Sequence, residues 1–169
     1  MSFSADPPRV LVVGYGNSLR RDDGAGWFAA ERLDDLLPSD QVRVLVRNQL
    51  TPELAETVSQ VELVVMIDAS CVDPPGHIVV REVEPASNTA LSLLHEVNPA
   101  QLLGTAAQLY GRCARGLLFS IGGREFEMGE GLSPEVAAAV DTVVERVRSL
   151  VGAVLARKAP RHSGAAATL

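Results

Sequence analysis

Aromatic side chains are scarce, at 4% of the 169 residues, although hydrophobic residues as a whole reach 47%. A core built from this chain therefore relies on short branched side chains, mostly Val, Leu and Ala, rather than on large rings. Cysteine is almost missing too. Cys71 and Cys113 are the two present, with no CxxC pair, which excludes a disulfide framework and a short zinc or redox motif. No uninterrupted apolar run approaches the roughly 20 residues a membrane helix needs. Met1-Ser2-Phe3-Ser4 carries neither the basic nor the apolar region of a secretory signal. These absences predict a protein of the reducing cytoplasm with no membrane insertion. Basic charge is in the minority, 15 Lys and Arg against 21 Asp and Glu for a formal charge of -6. That balance supplies no general cationic field for nucleic acid. The one basic run, Arg157-Lys158-Ala159-Pro160-Arg161-His162, reads as a solvated chain end.

What is present is an alternation of apolar runs and helical patterns, the signature of βαβ units and an α/β fold. Arg9 to Val13 reads as a buried parallel strand, stopped by Gly14-Tyr15-Gly16-Asn17 and followed by a loop from Ser18 to Gly24. A helix is expected over Ala25 to Leu36, with Phe28, Leu33 and Leu36 on its apolar face and Pro38 beyond its end. Val42 to Val46 is a second strand, and Thr51-Pro52-Glu53 has the composition of a helix start, the helix reaching Val61. Leu63 to Ile67 is the strongest buried strand and ends at Asp68. Asp73-Pro74-Pro75-Gly76 turns the chain into a partly exposed strand at Ile78 to Val83. A short helix is expected over Thr89 to Glu96. Asn98-Pro99-Ala100-Gln101 then combines a cap, a proline in the first turn and a reciprocal capping residue for a helix to about Leu109. Gly116 to Ile121 is a further strand. From Ser133-Pro134-Glu135, a valine stripe at 136, 140, 143, 144, 147, 151 and 154, with Leu150, recurs at helical spacing. No internal repeat or long linker divides the chain. Residues 1–8 read as an N-terminal extension, 9–155 as one domain and 156–169 as a flexible tail.

Several familiar chemistries are excluded by their missing motifs. Gly14-Tyr15-Gly16 would need a third glycine at position 19 for dinucleotide binding, where Leu19 stands, and no P-loop follows. Neither G-x-S-x-G nor H-E-x-x-H is found. Cys71 lies near Asp68 but without a Cys–His signature, and Cys113, His77 and His162 carry weaker signals. Arg20 and Arg21 are suited to orienting a carboxylate or a peptide carbonyl. Asp23 and Asp68 both fall beyond strand carboxyl ends, where open α/β sheets place ligands. With His95 they would offer oxygen and imidazole donors to a borderline metal ion. Each also has a plain structural reading: Asp23 as a cap for the following helix, Asp68 as an acceptor for backbone N–H groups, His95 as a packed histidine.

The ordered landmarks resemble the hydrogenase maturation endopeptidase family. They run from Val12-Val13-Gly14-Tyr15-Gly16-Asn17-Ser18-Leu19 and Arg20-Arg21-Asp22-Asp23-Gly24-Ala25-Gly26 through Gln49-Leu50-Thr51-Pro52-Glu53-Leu54 and Val65-Met66-Ile67-Asp68-Ala69. Asp73-Pro74-Pro75-Gly76, Ser92-Leu93-Leu94-His95-Glu96 and Gly129-Glu130-Gly131-Leu132-Ser133-Pro134-Glu135-Val136 complete the series. The resemblance implies a single three-layer α/β domain with a twisted, mostly parallel central sheet flanked by helices. It further implies that Asp23, Asp68 and His95 form a nickel-recognition site, Asp23 standing where members carry Glu or Asp. The implied reaction removes a C-terminal extension from a nickel-loaded nickel–iron hydrogenase large-subunit precursor, with nickel supplied by that precursor. A monomer or a transient complex is expected. Two other readings stay open at this point: a peptidyl-tRNA hydrolase-like enzyme, which shares the strand and G-x-G-N opening, and a nonenzymatic nickel-binding maturation factor.

Overall fold

The computed structural model describes residues 7–87 and 97–157. Among these, β1 (Val10–Tyr15), α1 (Ala25–Leu36), β2 (Val42–Arg47), α2 (Leu54–Gln60), β3 (Leu63–Ser70), β4 (Ile78–Val83), α3 (Pro99–Tyr110), β5 (Arg115–Gly122) and α4 (Pro134–Ala156) follow in chain order. The strands form one sheet in the order β2-β1-β3-β5-β4. The pairings β1–β2, β1–β3 and β3–β5 are parallel, and β4 joins the edge antiparallel to β5. This is the mostly parallel α/β sheet that the alternating pattern predicts.

Period-two alternation assigns each strand residue to one of two cores. Val10, Val12, Leu63, Val65, Ile67, Leu117, Phe119 and Ile121 face α1 and α4. Leu11, Val13, Val64, Met66 and Leu118 face α2 and α3. Both faces of the central strands are therefore dry, which explains why β1 and β3 read as unbroken apolar runs rather than as alternating ones. The valine stripe of α4 is core: positions 136, 140, 143, 144, 147 and 151 are all buried against the first face. Arg9 locks the far end of this layer. Its guanidinium donates to Glu62 Oε1 at 2.7 Å and to the carbonyls of Val154, Leu155 and Arg157 at 3.0–3.3 Å, satisfying the open end of α4.

The first helix departs from expectation in which residues it buries. Ala25, Gly26, Ala29, Ala30 and Leu33 face the sheet, whereas Leu36 is exposed and Phe28 only half-buried. The reason is the close approach of α1 to the strands. A β-carbon on Gly26 would lie 2.1 Å from the Ile67 carbonyl oxygen and 2.5 Å from that of Tyr15, and one on Gly14 would lie 2.0 Å from the Gly26 oxygen. In the first two turns only small residues fit, so Phe28 is displaced outward, and the one large buried side chain, Leu33, comes a turn later.

Other local differences are instructive. Residues Arg21–Gly24, expected as loop, form one turn of 3-10 helix. The helix expected from Thr51 begins at Leu54: Leu54 and Ala55 N–H groups donate to the Thr51 and Pro52 carbonyls, forming turns before α2 starts, and no side-chain cap is made. β3 runs past Asp68 to Ser70, because β5 continues beside it and pairs Asp68 with Ser120 and Ser70 with Gly122. The capping box at α3 is as predicted, with Asn98 Oδ1 and Gln101 Oε1 accepting reciprocal backbone bonds at 2.9 Å. The short helix expected over Thr89 to Glu96 falls outside the described residues.

A single methyl group at the helix–sheet contact provides a test. Gly26→Ala should destabilise the domain by roughly 3 kcal/mol, at the upper end of overpacking costs, because backbone atoms rather than a flexible side chain must move. Urea unfolding of the two proteins measures this. A loss below about 0.5 kcal/mol, the range of an ordinary surface change, would contradict the contact.

Candidate active site

The strand order places a topological switch point between β1 and β3. The chain leaves β1 towards β2 through α1, then returns through α2 to β3 on the other side of β1. At such a reversal of strand order, open α/β sheets place their ligands beyond the carboxyl ends of the two strands. Asp68 sits on β3 at that edge, half-buried, its Oδ1 accepting the Ala69 N–H at 2.8 Å. Its parity along β3 is that of Val64 and Met66, the face shared with α2 and α3.

Asp23 reaches the same edge from the loop after β1. It is half-buried, and its Oδ2 accepts the Asn17 N–H at 3.0 Å. It does not cap α1, whose preceding residue Gly24 makes no side-chain cap. Gly16, at φ +135°, makes this geometry possible, since a β-carbon there would lie 1.9 Å from the Asp23 carbonyl oxygen. Three residues beyond Asp23, Gly26 rests on the Ile67 carbonyl, immediately before Asp68. The two carboxylates, 45 positions apart in the chain, thus enter at one end of the sheet. His95, the third expected member, lies outside the described residues. Among the described residues no three His, Cys, Asp or Glu side chains are grouped as a metal site.

Relatives share this architecture. The chain is 33% identical over 156 residues to the hydrogenase expression/formation protein HupD of Rhodobacter capsulatus, covering 85% of this chain and 72% of that protein. The chain belongs to the nickel–iron hydrogenase maturation endopeptidase family. Among solved structures, the hydrogenase maturating endopeptidase HybD from E. coli superposes with a TM-score of 0.68 at 25% identity, covering 86% of this chain and 93% of that one. The nickel–iron hydrogenase maturation protease HybD from Thermococcus kodakarensis gives a TM-score of 0.62 at 29% identity, covering 84% and 98%. No protein-family profile matches the chain.

In this family member the residue beside Asp23 has an entirely different environment. Asp22 is fully buried. Its Oδ2 accepts from the N–H groups of Arg124 and Glu125, both at 2.9 Å, and from the Ser133 hydroxyl at 2.8 Å; its Oδ1 accepts the Ser133 N–H at 2.7 Å. Burial is the largest single influence on this carboxyl and pushes its pKa up. The bonds from Ser133, Glu125 and Arg124 together outweigh it and hold the group below its ordinary value. Ser133, the residue before α4, makes no side-chain cap there because its hydroxyl is committed to Asp22. The two arginines work on the same loop. Arg20 Nε donates to the Phe126 carbonyl at 3.2 Å, and Arg21 pairs with Glu125 at 3.3 Å. A peptide carbonyl and a carboxylate are indeed their partners, but within the chain itself. Arg21 is also, among the described residues, the one non-glycine residue with positive φ, at 47°.

Nothing local to Asp22 distinguishes it from Asp23 in the sequence, since its partners lie more than 100 positions away. Cys71, Cys113 and His77 are exposed, and His162 lies outside the described residues.

Asp22 generates two predictions. Asp22→Asn places an amide N–H against backbone and hydroxyl donors and should destabilise the domain by about 2–4 kcal/mol. The pH dependence follows from the sign of its shift. A carboxyl whose folded pKa is depressed binds its proton more readily when unfolded, so its stabilisation is present above about pH 4 and is lost as pH falls through the folded value. Urea titrations between pH 2 and pH 7 should therefore show a steeper acid loss for the unsubstituted protein than for Asp22→Asn. Parallel curves would remove Asp22 from this role.

Proposed function

We propose that this chain is the endopeptidase that removes the C-terminal extension of a nickel–iron hydrogenase large-subunit precursor, recognising the nickel that the precursor already carries. Family membership supports hydrogenase maturation endopeptidase activity in general. The observation that carries the finer reading is the convergence of Asp23 and Asp68 on the switch-point edge. Val97, two positions after His95, donates its N–H to the Leu50 carbonyl at 3.2 Å and packs in the core that Val64 and Met66 line. The described chain therefore resumes on the same face as Asp68.

The donor set suits the task. A carboxylate has about four lone-pair sites, and the Asn17 N–H engages Asp23 through Oδ2. Two carboxylates and an imidazole match a borderline ion such as nickel better than they match a soft thiolate-seeking one. Nickel presented by the substrate would polarise the scissile carbonyl or a water molecule as a Lewis acid. A carboxylate within hydrogen-bond reach would then orient the attacking water. The Asn17 contact sets the position of Asp23, and the β3–β5 register sets that of Asp68. Among the described residues no helix is long and apolar enough to cross a membrane.

The test is clipping of matched precursor with and without nickel, read as a mass loss at its C-terminus. Nickel-loaded precursor should be cut and nickel-free precursor left intact. Asp68→Ala and His95→Ala should each reduce clipping by at least about a hundredfold while remaining folded, and Asp23→Glu should retain much of it. Equal cleavage of nickel-free precursor would defeat the nickel requirement. Full activity in both alanine variants would defeat the assigned site. Stable nickel binding with no clipping would favour a nonenzymatic maturation factor.

A further inference from the structure

Leu19, Val72 and Met128 are large apolar side chains left 54%, 87% and 72% exposed. They stand on the loops that leave the carboxyl ends of β1, β3 and β5, the same edge that carries Asp23 and Asp68. Isolated exposed apolar residues are ordinary on a protein surface. These three share one edge although three loops distant in sequence contribute them. Of the other exposed large apolar residues, Leu36, Leu109 and Tyr110 lie near the carboxyl ends of α1 and α3, at the opposite end of the sheet, and Val79 and Val80 lie on the edge strand β4.

The backbone holds two of these side chains outward. Leu19 N–H donates to Asn17 Oδ1 at 2.9 Å, and the Leu19 carbonyl accepts the Gly129 N–H at 2.9 Å. Arg21 N–H donates back to the Gly129 carbonyl at 3.0 Å, so residues 19–21 and 129 form a short parallel bridge. Leu19 and Met128 are thereby fixed near one another. The same segment begins at Asn17, whose N–H holds Asp23. An apolar surface already ordered in the free protein loses little conformational freedom when a ligand covers it.

We infer that Leu19, Met128 and Val72 form the docking rim for an extended apolar stretch of the precursor polypeptide next to its cleavage point. This rests on the endopeptidase reading above and adds the substrate feature that is recognised. Continuity with Asp23 through Asn17 argues for a polypeptide already engaged at the carboxylates. An anionic membrane surface is disfavoured by the exposed Glu127 and Glu130 beside Met128 and by the net charge of -6.

The experiment compares Leu19→Ser, Met128→Ser and Leu36→Ser with the unsubstituted protein, using nickel-loaded precursor. Cleavage kinetics are measured together with precursor affinity in an Asp68→Ala background, so that binding is read without turnover. Leu19→Ser and Met128→Ser should each raise KM and weaken affinity roughly tenfold, with kcat changed by less than about twofold. Leu36→Ser should change neither. Unchanged KM and affinity in both rim variants, with normal cleavage, would overturn the rim and leave the endopeptidase reading standing. Weakened affinity in a protein that never clips would uphold the rim and end that reading. A concentration-dependent dimer dissolved by Leu19→Ser would overturn the proposal in favour of a second copy as occupant.

Discussion

The contact on which the site geometry depends is backbone against backbone: the first turn of α1 resting on the carbonyls of Tyr15 and Ile67, with no room for a β-carbon at Gly26. It has two consequences. It confines the first two turns of α1's buried face to glycine and alanine, so that the helix lies low on β1 and β3. It also draws the loop after β1 onto the end of β3. Because the strand order reverses between these two strands, the same contact brings Asp23 to the edge occupied by Asp68.

Adjacent aspartates then take opposite parts. Asp22 turns inward, where donors from residues 124, 125 and 133 surround it and tie the loop after β5 to the turn after β1. Burying a carboxylate is costly unless its acceptor sites are matched by donors, and here two backbone segments and a hydroxyl supply the match. Asp23 stays half-buried, its Oδ2 engaged by the Asn17 N–H. The neighbouring carboxylates thus differ by direction alone, Asp22 buried as a tie between loops and Asp23 left half-buried at the sheet edge. The strain at Arg21, beside them, accompanies the reversal that separates the two side chains.

The loop after β5 is therefore more than a connection. Asp22, Arg20 and Arg21 hold it at Phe126, Glu125 and Gly129, and it carries Met128 to the rim beside Leu19. An apolar rim kept dry by nothing in the free chain costs little when its backbone is fixed by polar bonds beneath it. Rigid support of this kind is what a site needs if an extended polypeptide is to be placed to within hydrogen-bond reach of two carboxylates.

The regular elements were legible because each obeys a short-range rule. The apolar runs of β1 and β3, the valine stripe of α4 and the Asn98–Gln101 box are readable within a few residues of themselves. The edge character of β4 showed in its charged positions. Where the reading of α1 departed from the structure, the deciding partner, the Ile67 carbonyl, lay far off in the chain; the Thr51 segment departed locally, α2 being delayed by the turns that precede it. The sequence by itself determined the α/β alternation, the two buried central strands and the family resemblance. Only tertiary structure decided that Asp22 is a buried tie, that Asp23 and Asp68 share an edge and that Leu19 and Met128 stand side by side. The physical reason is that local pattern records which face of an element is apolar, whereas a site is made by loops whose neighbours are chosen by strand order.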